Sequence, residues 1–131
     1  MHLEVTYFLR ETKGVEPDPF QRNCGSRQVL DRIGDRWSVL VVLTLAHGGK
    51  RFGELAQRID GVSQKMLTQT LRGLERDGLV TRTVHATVPP RVDYELTDLG
   101  RSLVDLVAGL EAWATGHLDE IEAARARYDA R

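Results

Sequence analysis

Two short runs, 79–85 and 91–96, alternate β-branched and polar residues and meet across Pro89-Pro90, directly after a series of short helical patterns separated by glycine turns. Few folds accept that order. In the first helical pattern Val29, Leu30 and Ile33 share one face, with Gly25 or Ser26 as its cap. A second is expected from Asp35 to Ala46, with Trp37, Leu40, Val41, Leu43 and Thr44 mostly inward and Gly48-Gly49 ending it. A third, from Arg51 or Phe52 to Ile59, puts Phe52, Leu55 and Ile59 in the core, and Asp60-Gly61 forms the turn that follows.

The fourth pattern carries the chemistry. Ser63 is placed to cap a helix that ends at Gly78, since its hydroxyl can accept from a free N–H of the first turn. Leu67, Leu71 and Leu74 make one stripe, and Lys65, Thr68, Gln69, Arg72 and Arg76 lie opposite. Any solvated helix carries such residues, so the stripe alone decides nothing. The hairpin that follows does: helix, turn, helix and hairpin in this order describe a winged helix-turn-helix, a mainly α fold with a small β wing (α+β). In that fold the fourth helix enters the major groove of DNA. Lys and Arg reach phosphates or guanine, Gln pairs with adenine, and Thr offers a hydroxyl and a methyl. Ser63, Gln64, Lys65, Thr68, Gln69 and Arg72 are therefore the expected DNA-binding set, and Arg91, beside the stiff Pro89-Pro90 tip, is expected to contact either a phosphate of the neighbouring backbone or the minor groove.

The residues also carry a resemblance. Asp31-Arg32-Ile33-Gly34-Asp35-Arg36-Trp37, Arg51-Phe52-Gly53-Glu54-Leu55, 63–71, Asp77-Gly78-Leu79-Val80 and 89–100 stand in the order found in HxlR-type regulators, relatives of the MarR group, and the match extends from about Cys24 to Trp113. The chain departs from that pattern at Asp35-Arg36, where glycine-lysine is common, at Asp93, where glutamate is common, and in a longer N-terminal arm. The resemblance implies a transcription regulator, expected to repress by occluding its site. The expected organisation is an arm over 1–23, a winged helix-turn-helix over 24–96 and a C-terminal dimerisation helix over 97–131, with one HxlR-type domain over about 24–122.

Thr97 can cap that last helix, and Gly100 would let its backbone pass close to a neighbour. Leu99, Leu103, Leu106, Leu110 and Trp113 recur at spacings of four and three, the seam of a helix that pairs with another. In a helix of nearly thirty residues on so small a core, part of the seam is expected to serve a second subunit. The expected partners are a second copy of the chain and double-stranded DNA bearing a pseudo-palindromic operator, with room for a small-molecule or electrophile effector.

Cys24 is the sole cysteine and cannot staple the monomer. It is either a small packed side chain or a thiol activated by its place before a helix N-terminus and by Arg22 and Arg27. Several HxlR-type regulators resemble this chain in carrying a reactive cysteine there, which makes Cys24 the redox candidate.

Composition excludes much else. With 131 residues there is no room for a catalytic domain beside a DNA reader. Gly48-Gly49-Lys50 lacks phosphate-loop spacing, and His2, His47, His85 and His117 are scattered, so no cofactor, metal site or catalytic residue is expected. No apolar run approaches the roughly 20 residues that span a bilayer, and the N-terminus does not read as a signal peptide, so a cytoplasmic location without a membrane partner is expected. The net charge of −1 argues against indiscriminate nucleic-acid binding, but it is unevenly spread: residues 1–96 hold fourteen Lys/Arg against twelve Asp/Glu, and 97–131 hold four against seven. The near-neutral total keeps a competing reading open, a winged-helix protein-interaction module without sequence-specific DNA binding.

Overall fold

The computed structural model describes residues 16–131, so the arm residues Tyr7, Phe8, Leu9 and Gly14, and with them His2, lie outside the described residues. The chain divides into two compact units, the first ending at Asp35 and the second running Arg36–Arg131. The expected boundaries stood at 23/24 and 96/97.

In the first unit, helix α1 spans Gly25–Gly34. Its N-cap is Cys24, not Gly25 or Ser26, because the Cys24 carbonyl already accepts from Arg27 N at 3.1 Å. None of its residues is buried: Val29 and Leu30 are 54% and 51% exposed.

The second unit holds α2 (Arg36–Leu45), β1 (Lys50–Arg51), α3 (Phe52–Arg58), α4 (Gln64–Arg76), β2 (Val80–His85) and β3 (Arg91–Leu96). It closes with three helical segments, α5 (Asp98–Arg101), α6 (Val104–Gly116) and α7 (Leu118–Asp129). This is a winged helix, with α3 and α4 as the helix-turn-helix and β2 and β3 as the wing.

Its core is the meeting of four helices with the sheet: Val41, Val42 and Leu45 from α2, Leu55 from α3, Leu67, Leu71 and Leu74 from α4, Tyr94 and Leu96 from β3, and Val107 from α6. Helix α2 departs from expectation. Its inward stripe is Ser38, Val41, Val42 and Leu45, while Leu40 is exposed and Thr44 is only half-buried, its hydroxyl donating to the Leu40 carbonyl. The run 39–43 is apolar on every face, so periodicity there cannot choose a stripe.

Strand β1 was not foreseen. Lys50 pairs with Tyr94 and Arg51 with Asp93, which makes a three-stranded antiparallel sheet in the order β1-β3-β2. A two-residue strand has no periodicity to read, and its partner lies more than forty residues away in sequence.

The C-terminal helix is likewise interrupted where one helix was expected. Leu103 N bonds to Gly100 O, a tighter i−3 turn, and the Ser102 hydroxyl donates to Leu99 O. At the second break His117 turns to φ −111, and its backbone N–H and ring Nδ1 both lie on the Trp113 carbonyl, at 3.0 and 2.8 Å. Thr97 caps α5 through a bond from Gly100 N, and a Cβ on Gly100 would collide with the Leu79 carbonyl, the close approach expected of that glycine.

Candidate nucleic-acid interface

The candidate interface is built on α4. Met66 N donates to Ser63 Oγ at 3.0 Å, which fixes the start of the helix, and Gly78 at φ +77 lets the chain reverse so that Leu79 N reaches Leu74 O at 2.9 Å. Leu67, Leu71 and Leu74 are 0%, 2% and 0% exposed, so the roll of the helix is set by packing. The opposite side then faces out. Gln64, Lys65, Gln69, Arg72 and Arg76 are exposed and Thr68 is half-buried.

Ser63 stands at the edge of this set and its hydroxyl is engaged in the cap. Residues 64–76 do not form one undivided surface. Gln64, Thr68 and Arg72 border a groove of about 420 Å³ whose other wall is Phe52, Arg82 and Tyr94, while Lys65 and Gln69 stand outside it. Arg82 was missed by the sequence reading. The signal was present, for Arg82 alternates with Val80 and Val84 and so points to the core side of β2, where an arginine is out of place unless it reaches something.

Arg91 opens β3 opposite His85, immediately after the loop 86–90, and is 39% exposed. Its Nε lies 3.5 Å from Asp93 Oδ1, and His85 Nε2 donates to Asp93 Oδ2 at 2.8 Å. The Asp93 carboxylate thus fixes two cationic or polar groups on the outer face of the wing and offsets part of the Arg91 charge.

The seam residues divide. Leu103 packs on the chain's own core, whereas Leu99, Leu106, Leu110 and Trp113 are 59%, 59%, 57% and 59% exposed. Trp113 stacks on His117 with ring centroids 4.5 Å apart.

Cys24, in the first unit, is half-buried. Its sulfur lies 3.0 Å from Ser26 Oγ and accepts from Asp18 N at 3.1 Å. The Ser26 hydroxyl, with the backbone N–H groups of Ser26, Asp18 and Arg27, holds the thiol below its ordinary pKa against a smaller opposing effect of desolvation. Among the described residues no group of three His, Cys, Asp or Glu side chains could hold a metal ion, and no helix is long and apolar enough to cross a membrane.

The sequence pattern of the HxlR-like helix-turn-helix family matches residues 32–122. The chain belongs to that family. It is 43% identical over 110 residues to YtfH of Escherichia coli strain K12, an uncharacterized HTH-type transcriptional regulator, over 84% of this chain and 87% of that protein. Among solved structures, ytfH from Salmonella typhimurium, also a transcriptional regulator by name, superposes with a TM-score of 0.80 at 42% identity, covering 84% of this chain and 98% of that one. The redox regulator HypR in its oxidized form gives a TM-score of 0.66 at 39% identity, covering 71% and 96%. This HxlR-type chain is therefore a helix-turn-helix transcription regulator, in a family of regulators and not of enzymes.

Proposed function

We propose that this HxlR-type regulator is a homodimeric repressor that reads a pseudo-palindromic operator. Helix α4 of each subunit lies in a major groove, and occupancy of the site blocks transcription. The observation that carries this reading is the opposition on α4 of a fully buried leucine stripe and an exposed row containing Lys65, Gln69 and Arg72. A rigid helix with that polar face presents side chains of the kinds that pair with guanine and adenine edges. Arg91 supplies charge from the wing, and Leu99, Leu106, Leu110 and Trp113 supply the apolar surface for the second subunit, with Leu103 seated beneath it.

Cys24 is the effector site in this reading. A thiol with a lowered pKa, half-accessible and next to a helix N-terminus, reacts with oxidants and electrophiles. The likeness to HypR, a redox regulator, supports that assignment. The test is a competition gel shift with DNA from beside the protein's own gene against unrelated DNA, with and without diamide. Selective retardation that diamide alters in the wild type and not in Cys24→Ser is the expected result. Equal retardation of both DNAs removes sequence-specific reading, and an equal diamide response in Cys24→Ser removes the sensor.

A further inference from the structure

We propose that the groove between α4 and β2 is a separate site that seats a backbone phosphate of double-stranded DNA, with Arg82 and Arg72 as its charged ligands and Gln64 and Thr68 as neutral donors. The inference rests on the DNA-binding reading above and divides the labour within it: Arg72 leaves the base-reading row to join Gln64, Thr68 and Arg82 on the backbone, and Lys65 and Gln69 are left to the bases.

Strand β2 puts the arginine there. Arg82 is in register with Tyr94, two residues from the pair Val80 and Leu96, and Tyr94, Val80 and Leu96 are all buried. Arg82 is therefore on the sheet face turned toward α4, whereas His85, Asp93 and Arg91 share the outer face. Its position on that face, beyond the buried pair, lets its long side chain leave the core and emerge beside the helix, where it is exposed.

Helix geometry supplies the other wall. At about 100° per residue, Gln64, Thr68 and Glu75 fall along one margin of the buried stripe and Gln69 along the other, with Lys65, Arg72 and Arg76 between. When the centre of this face sits in a major groove, one margin lies against the sugar-phosphate wall and not against the base edges. The groove offers what a phosphate needs. Two guanidinium forks, a hydroxyl and an amide border it, together with the rings of Phe52 and Tyr94, and charge-assisted hydrogen bonds from arginine are the strong contacts to a phosphate.

One feature opposes an anion: Glu75 also borders the groove. Neither arginine is in an ion pair with it or with any other described residue, so both guanidinium groups are free to turn to an incoming phosphate. Two positive charges against one negative leave the rim net positive. Glu75 then acts as a restraint on affinity, and its removal should tighten binding.

The experiment is a set of fluorescence anisotropy titrations of the full chain, across a range of potassium chloride concentrations, on two labelled duplexes: DNA from beside its own gene and a shuffled sequence of equal length. Arg82→Gln should weaken both duplexes by the same factor, roughly eight-fold at about 0.1 M salt, and make the slope of log K against log salt shallower by about 0.9, the value for one lost phosphate contact. Arg82→Lys should keep the slope, and Glu75→Gln should tighten both duplexes alike.

An unchanged slope in Arg82→Gln, or a changed ratio between the two duplexes, overturns the phosphate site. Thr68→Val removes only a hydroxyl and keeps the test open if Arg82→Gln fails to fold: equal weakening of both duplexes at constant slope supports the site, and no weakening overturns it. A wild type that binds neither duplex ends the DNA-binding reading itself, which separates that failure from the failure of this site.

Discussion

Helices α4 and α6 carry similar leucine spacings and end in opposite situations. In α4 the stripe Leu67, Leu71 and Leu74 is at most 2% exposed, whereas in α6 Leu106, Leu110 and Trp113 remain 57–59% exposed while Val107 on the other side fills the core. A large apolar side chain gains about 1.5–3 kcal/mol on full burial. The chain collects that gain along α4 by itself and leaves most of it uncollected along α6. The lesson is that the apolar stripe of α4 is closed within one chain, whereas that of α6 stays open, and this open stripe is the surface the proposal above assigns to a second subunit.

The largest effects should separate the two helices. Leu71→Ala removes a side chain from a closed core and should destabilise folding by about 2–5 kcal/mol, lowering the melting temperature by the same amount at every protein concentration. Leu110→Ala should cost on the order of 2–5 kcal/mol in a core-like interface, but as a loss of association, so that its melting deficit depends on concentration. Leu106→Asp carries the contrast to its limit: sedimentation should find a folded monomer. A fully dimeric Leu106→Asp protein would place the second subunit elsewhere and break the comparison.

Smaller effects sharpen it at the DNA. Gln69→Ala should lose about 1–3 kcal/mol on the operator and little on random DNA, read as a competition ratio. Arg91→Ala should weaken all sequences alike and lower the salt slope by about one ion, and a loss confined to one sequence would make Arg91 a base reader.

The smallest effect concerns Cys24. Because the Ser26 hydroxyl is the main cause of its lowered pKa, the thiolate fraction at neutral pH exceeds that of an ordinary thiol and falls as pH drops through the lowered value. The pH profile of alkylation by iodoacetamide should therefore have its midpoint below the ordinary thiol range, and Ser26→Ala should move it upward. An unmoved midpoint would assign the shift to another group.

What the sequence disclosed follows from where a residue's neighbours lie. Helix α4 was legible because its cap, its stripe and its terminal glycine all sit within sixteen residues, from Ser63 to Gly78, and agree with one another. The wing was legible from its alternation and its prolines. Helix α2 was not, since Val39 to Leu43 offer no polar residue to mark the outside, and only the packing of Val41 and Val42 against the sheet and α4 decides the face. Strand β1 depends on pairing with a distant strand, and the breaks at Ser102-Leu103 and His117 on a few local hydrogen bonds, none of which leaves a periodic trace. Within the site, the polar row on α4 could be read, but its division into two margins could not, because the groove exists only once Arg82 arrives from a different element.

The most direct measurement of the central claim is selection by the purified chain from a random pool of DNA duplexes. The account predicts enrichment of an inverted repeat whose half-sites lie about 34 Å apart, one helical turn, as two α4 helices on a two-fold axis require. A pool that binds without enrichment of any sequence would contradict it.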